Sequence, residues 1–235
     1  MARARGMPME LSTWRGVPRP EQVVLEGRYA RLEPLSSVRH GEDLFHSARE
    51  DGAEDRFRYL AEQVPPDMAG FQAWLQKAEQ SEDPLFHAVV DTRTGKAQGR
   101  QALMRIDAAN GVIELGSILW GPAIARSRVS TEAFFLAARY VFDDLGYRRF
   151  EWKCNDLNEP SKRAAKRFGF AFEGIFRQHM VVKGRNRDTA WFAMTDADWG
   201  LIKPNYAAWL SPANFDDSGR QHAKLKATIQ PTEAV

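Results

Sequence analysis

The sequence predicts an α/β domain of the α+β kind: a mixed, mostly antiparallel sheet flanked by helices. Three observations carry this. Period-two and period-3.6 stretches follow one another as strand, helices, three strands, helix, strand, helix and hairpin. Asn110-Gly111 separates two alternating apolar runs and is a dipeptide suited to a tight hairpin turn. Gly111 to Ala133 runs as an apolar strand through a short turn rich in Arg and Ser, straight into a long helix. A strand feeding a helix N-terminus in this way builds an anion seat, because the first-turn amides lack partners inside the helix.

Taken in order, residues 1–24 read as an irregular leader, with Pro18 and Pro20 opposing any regular element. Residues 25–210 hold the main domain. Arg28 to Leu35 alternates as a strand does, and Ser36 or Ser37 caps a helix to about Arg49. A second helix covers roughly Glu54 to Gln63, ended by Pro65 and Pro66. Asp67 caps a third, in which Phe71, Trp74, Leu75 and Ala78 recur at helical spacing. Strands follow at Phe86 to Val90, Gln98 to Ile106 and Ile113 to Leu119. The helix from about Thr131 to Leu145 is apolar on most sides, so it is expected to be buried, with Gly146 as its stop. Arg148 to Cys154 is a strand. Asn158 caps a helix with Pro160 in its first turn and Gly169 at its end. Phe170 to Val182 and Thr189 to Met194 form a hairpin around Lys183-Gly184-Arg185. Ala197 to Leu210 closes the domain, interrupted near Pro204, and 211–235 is a polar tail expected to fray.

Bulk properties narrow the function. A net charge of +2 argues against a dedicated nucleic-acid binder. No run is long enough to span a membrane, and the first residues lack the apolar core of a signal peptide. The single cysteine, Cys154, cannot form an internal disulfide, so a cytoplasmic setting is expected. His40, His46, His87, His179 and His222 show no metal-ligand spacing, and no metal is expected. The sequence contains no Walker loop, dinucleotide fingerprint, G-x-S-x-G or H-E-x-x-H motif.

Three segments carry a family likeness: IELGSILWGP, the turn ending in Ser130-Thr131-Glu132-Ala133, and CNDLNEPSKRAAKRFGFAFEG from Cys154 to Gly174. In this order and spacing they resemble the GNAT acyltransferase superfamily, and within it the RimJ/RimL-like branch. The likeness spans about Leu25 to Trp199. The last segment is the most specific, an Asn-x-x-Ser helix start followed by Arg-Phe-Gly-Phe and Glu-Gly. The resemblance implies a GNAT fold, whose two central parallel strands splay apart to hold coenzyme A. It further implies acetyl-CoA as co-substrate and direct attack by an amine, either a protein N-terminus or a small molecule.

Such a reaction needs a base for the arriving ammonium, a donor for the tetrahedral oxyanion, a partner for the leaving thiolate and a seat for the diphosphate. Glu114, in an apolar strand where burial tunes a carboxyl for proton abstraction, is the candidate base. The competing reading puts it on the strand's solvated face. Ser161 is the candidate thiolate partner, since the family serine of Asn-x-x-Ser stands near the coenzyme sulfur. A first-turn Ser also serves simple amide satisfaction. Asn155 and Asn158 are expected as pantetheine or cap contacts. Leu119, Trp120, Arg126, Ser127, Arg128, Val129, Ser130 and Thr131 are the remaining expected coenzyme contacts.

The turn departs from the family pattern. Arg126 and Arg128 stand at its small positions, Arg128 at the best-known glycine. Arg128 either turns its side chain outward or meets phosphate itself. Glu114 to Pro122 is one residue longer than the common spacing, which indicates a β-bulge. The basic run from Arg148 to Arg167 reads as a largely solvated face, and Cys154 as a buried strand residue. In the resembled family the hairpin end of the sheet helps form the acceptor site and in some members a homodimer contact. Asp188 is the residue there proposed to hold a cationic amine. A degenerate acyl-CoA-binding domain without turnover is the alternative function, and a purely structural domain a further one.

Overall fold

The computed structural model describes residues 11–227. Eight strands form one sheet in the order β1-β2-β3-β4-β5-β6-β8-β7. They are β1 (Leu25–Glu26), β2 (Ala30–Pro34), β3 (Leu85–Asp91), β4 (Ala97–Asp107), β5 (Val112–Trp120), β6 (Arg149–Asn155), β7 (Ala171–Val182) and β8 (Arg185–Thr195). Every neighbouring pair is antiparallel except β5 and β6. Those two strands are parallel only over Val112–Arg149, Ile113–Phe150 and Glu114–Glu151. Beyond Glu114 they part, which is the splay the sequence likeness implied.

The helices form where their caps stand. Ser36 accepts from the Arg39 amide at the start of α1 (Ser37–Arg49), and Asp67 from the Gly70 amide at α3 (Met68–Glu79). The long helix starts earlier than its apolar run suggests, as α4 (Arg128–Arg139), because Ser127 and Ser130 form a reciprocal capping box. Tyr140–Asp144 then widens into a π-helical turn, with Leu145 N–H reaching Tyr140 C=O at 3.0 Å. Asn158 caps α5 (Glu159–Arg167), and α6 (Asp196–Trp209) runs unbroken through Pro204. The carbonyl that Pro204 leaves without its helical partner belongs to exposed Gly200, so the interruption expected there does not occur.

The predicted helix over Glu54 to Gln63 shrinks to α2 (Ala53–Phe57). Its would-be continuation is drawn into tertiary contacts instead. Tyr59 donates to Leu157 C=O (3.1 Å), Glu62 meets Arg100, and Leu60 and Val64 pack against Phe57 and Leu119. Such contacts outweigh weak helix propensity.

One sheet face carries α4, α5 and α6 over an aromatic core. Phe134 stacks on Phe168 at 4.5 Å between ring centroids and also meets Phe150, Phe170 and Tyr206. The other face carries α1 and α3, through Leu44, Phe71, Leu75 and Ala78. Residues 11–24 carry no helix or strand, and they and residues 211–227 are tied to the domain. Trp14 Nε1 donates to Ala109 C=O (2.7 Å) and Val17 N–H to Ala108 C=O. After α6, a 3-10 turn at Pro212–Asn214 leads to a bridge between Phe215 and Gln221, and Ala227 is fully buried. Residues 1–10 of the expected leader and 228–235 of the tail lie outside the described residues.

One buried group makes stability depend on pH. His87 on β3 is almost wholly enclosed, and burial pushes its pKa down to about 4. The unfolded chain therefore binds a proton between the ordinary value of 6.5 and about 4, and the folded chain does not. His87 should withdraw about 3 kcal/mol of stability as pH falls across that window, with no effect above it. Urea unfolding of wild type and His87→Leu at pH 7 and pH 4 checks this: the gap between them should shift in the variant's favour at pH 4.

Candidate active site

Glu114 lies on β5 at the last residue pair before the strands part, and it is buried. Burial follows from the apolar run around it, but its surroundings are ionic. Oε2 accepts from Arg105 Nη1 at 2.8 Å and from Lys153 Nζ at 3.0 Å. Lys153, on β6, also meets Glu151 at 2.5 Å, and its ammonium sits 3.9 Å from the centre of the Trp191 ring. Both cations thus sit on one carboxylate oxygen. The other, Oε1, leans along the strand towards Gly116, where a Cβ would stand 3.2 Å from it and 2.5 Å from Met104 Sδ. Glycine at 116 keeps that oxygen uncrowded on the side where the strands diverge.

The expected bulge is present. The β4–β5 register slips between Arg100/Leu119 and Ala102/Gly116, and Ser117 adopts φ +50°. Arg100 fills the gap: its guanidinium donates to Ser117 C=O (2.7 Å), to Ser117 Oγ (2.9 Å) and to Glu62 (3.1 Å). It also lies 4.5 Å over the Trp74 ring.

On the far side of the opening, Ser161 Oγ accepts from Trp152 Nε1 at 2.9 Å, and its amide donates to Asn158 Oδ1 at 3.1 Å. With a lone pair engaged by the indole, the hydroxyl keeps its proton to give. Asn158 is therefore the helix cap. Asn155 Oδ1 accepts from Leu157 N–H (2.9 Å) in a turn of its own. Burial pushes the Cys154 thiol up, as suits a strand cysteine held in thiol form.

The turn before α4 separates into hydroxyls bound within the cap and backbone amides left open. Ser127 Oγ donates to Ile124 C=O and accepts from the Val129 amide, and Ser130 Oγ closes the box. Thr131, fully buried, donates to Ser127 C=O and accepts from Arg167 Nη1. The hydroxyls of Ser127, Ser130 and Thr131 serve the cap, and the Val129 side chain is buried. Among the described residues the amides of Arg126 and Arg128 have no partner, and the Arg126 side chain is exposed at φ +59°. The Arg128 guanidinium points away from the turn and packs against the edge-to-face pair of Tyr29 (4.5 Å) and Phe215 (5.4 Å). Leu119 packs on Phe57 and Ala48, and Trp120 donates to Gln101 and meets Phe168 edge-on. Those two side chains are committed to the core, so what they can offer a coenzyme is backbone.

Asp188 is held within its own hairpin. Its carboxylate accepts from Gln178 N–H (2.7 Å) and Asn186 Nδ2 (2.9 Å), bonds that hold its pKa below the usual range. It clasps the irregular β7–β8 pairing, where the register shifts between Phe176 and Met180. Sequence reasoning missed the residues that do surround the opening. Arg105, Lys153, and the pair Trp191 and Arg187 come from three strands, and only the period-two alternation along β6 and β8 signalled a shared face. The α2 segment spans the same end of the molecule, through Tyr59 to Leu157 and through Lys183 Nζ to Phe57 C=O (2.9 Å).

Among the described residues, no cluster of His, Cys, Asp and Glu could hold a metal ion, and no helix is long and apolar enough to cross a membrane.

Comparison with known proteins adds an independent line. The model of the acetyltransferase (GNAT) domain matches residues 31–171. A crystal structure of a GCN5-related N-acetyltransferase from Brucella melitensis is 59% identical, with a TM-score of 0.90, over 92% of this chain and 97% of that one. A probable acetyltransferase of the GNAT family from Chromobacterium violaceum is 36% identical, with a TM-score of 0.76, over 85% and 99%. The uncharacterized N-acetyltransferase p20 of Bacillus licheniformis is 29% identical over 51% of this chain. The match covers 63% of that curated relative, less than two thirds of its length.

Proposed function

Because the chain belongs to the GNAT acetyltransferase family, we propose that it moves an acetyl group from acetyl-CoA to a primary amine by direct attack. The acceptor is a protein N-terminus or a small-molecule amine, and the segment from Cys154 to Gly174 favours the RimJ/RimL-like branch. The observation that carries this reading is the parting of β5 and β6 beyond Glu114, with Oε1 leaning towards the opening. The amides of Arg126 and Arg128 and the exposed Arg126 guanidinium fit a diphosphate at the start of α4.

In this mechanism Glu114 Oε1 takes a proton from the ammonium, directly or through a water, and the freed amine attacks the thioester carbonyl carbon. Collapse of the tetrahedral intermediate breaks the C–S bond. The thiolate takes a proton from Ser161 Oγ, which regains one from the second proton leaving the attacking nitrogen; Glu114 passes its proton to solvent, and the products are an amide, free thiol and one released proton. Arg105 and Lys153 hold the carboxylate in place on its other oxygen.

Screening acetyl- and succinyl-CoA against amines and N-terminal peptides for thiol release tests the assignment, and no release with any pair would overturn it. Ser161→Ala should lower kcat about tenfold, the worth of one hydrogen bond to a charged group, and leave the KM for acetyl-CoA near wild type. The second reading, an acyl-CoA binder without turnover, rests on the arginines at 126 and 128. It is disfavoured because the Arg128 side chain points away from the turn. Coenzyme binding by calorimetry without thiol release would favour it.

A further inference from the structure

The face that carries Glu114 holds an ionic network whose charges match residue by residue, with one exception. Arg105 and Lys153 pair with Glu114, Lys153 and Arg149 with Glu151, and Arg149 with Glu173. Arg187, on β8, makes no hydrogen bond or ion pair with its side chain among the described residues. Its Nε is buried without a partner, and so is Trp191 Nε1 on the same strand. Four residues apart on β8, Arg187 and Trp191 share a sheet face, and the Trp191 ring lies 3.9 Å from the Lys153 ammonium that binds Glu114, so the guanidinium stands on the Glu114 face of the sheet.

A half-buried guanidinium whose Nε is enclosed without an acceptor carries a desolvation cost, and an acceptor arriving from solvent would offset it. Arginine and tryptophan side chains are donors only, so what they lack is an acceptor. The fork of an arginine matches a carboxylate with two parallel bonds. Glu114 is already engaged by Arg105 and Lys153 and stands on β5, so it does not fill this role.

We propose that Arg187 is a specificity-determining anion site within the acyl-transfer centre, and that one of the two reactants carries a carboxylate that pairs with it. This rests on the acyltransferase reading above and names its substrate class. The carboxylate has two possible sources. It is the free end of a dicarboxylic acyl group on the coenzyme, or the carboxylate of an amino-acid acceptor.

The test uses the full chain and paired substrates. On the donor arm, succinyl-CoA is compared with acetyl-CoA. On the acceptor arm, amino acids are compared with their carboxamides. Arg187→Gln should lower kcat/KM about 10- to 100-fold for the member with the carboxylate and change its neutral counterpart less than about threefold. Arg187→Lys should recover part of that loss. The arm that responds identifies the source. An equal loss across both members of each pair would overturn the proposal, since Arg187 would then act on the common oxyanion. So would no loss in any pair.

A turnover-free readout separates failure of this proposal from failure of the acyltransferase reading. Calorimetry compares the affinity of wild type and Arg187→Gln for succinyl-CoA, acetyl-CoA and the amino acid. If no pair releases thiol yet one carboxylate ligand alone weakens in the variant, the anion site stands and the activity does not. If thiol is released but neither kinetics nor affinity distinguishes the paired ligands, the activity stands and the anion site does not. Unchanged thermal midpoints show that the variants are folded.

Discussion

Glu114→Gln is expected to lower kcat by about 10²- to 10³-fold while leaving coenzyme A affinity within about twofold. The substitution keeps the size of the side chain and removes its ability to take a proton. The fold should tolerate it, because Lys153 keeps Glu151 at 2.5 Å and Arg105 is partly exposed to water. The deficit should narrow as pH rises towards the pKa of the acceptor amine, since solution then removes the proton that Glu114 would take. Steady-state thiol release from pH 6 to 10, with calorimetry for the coenzyme, reads both effects. Near-normal turnover at neutral pH would remove Glu114 as the base.

Arg100→Ala is expected to destabilise the fold by about 3 kcal/mol, which at this chain length lowers the thermal midpoint by about 10 °C. The side chain is almost fully enclosed, and burial pushes its pKa down despite Glu62. Truncation strips Ser117 C=O of a donor, leaves Glu62 without its cation and opens a void against Trp74 and Phe86. Because Ser117 is the bulge residue, the strand edge beside the opening should lose definition. Turnover is then expected to fall even at temperatures where the variant is folded. Arg100→Lys, which keeps the charge but not the two-point hold on Ser117, should fall between. A midpoint shift under about 2 °C for Arg100→Ala would show that the bulge holds without it.

How far the sequence could be read follows from what kind of interaction each feature rests on. The strands and most helices are local: alternation, a capping Ser or Asp, and the Asn110-Gly111 turn announce them within a few residues. The bulge at Ser117 was also legible, because an added residue in a strand has few other outcomes. The early start of α4 was not, since the apolar run begins after the capping box that nucleates it. Residues around Glu114 escaped for a different reason. Arg105, Lys153 and Arg187 are adjacent only through strand register, and register between distant strands is written in no short stretch of chain. The bonds that Asp188 makes within its hairpin were equally hidden, because the Gln178 amide reaches it only through the irregular β7–β8 register.

The arginines at 126 and 128 make the phosphate turn stiff where a glycine-rich one is loose. Arg126 holds a left-handed backbone that an L side chain adopts at a penalty of about 1 kcal/mol, and Arg128 is packed against two aromatic rings. A loop with fewer accessible shapes loses less entropy when a ligand arrives. The coenzyme would thus meet a seat already in its bound form, and the ring from Phe215 that helps to fix it comes from the stretch that follows α6.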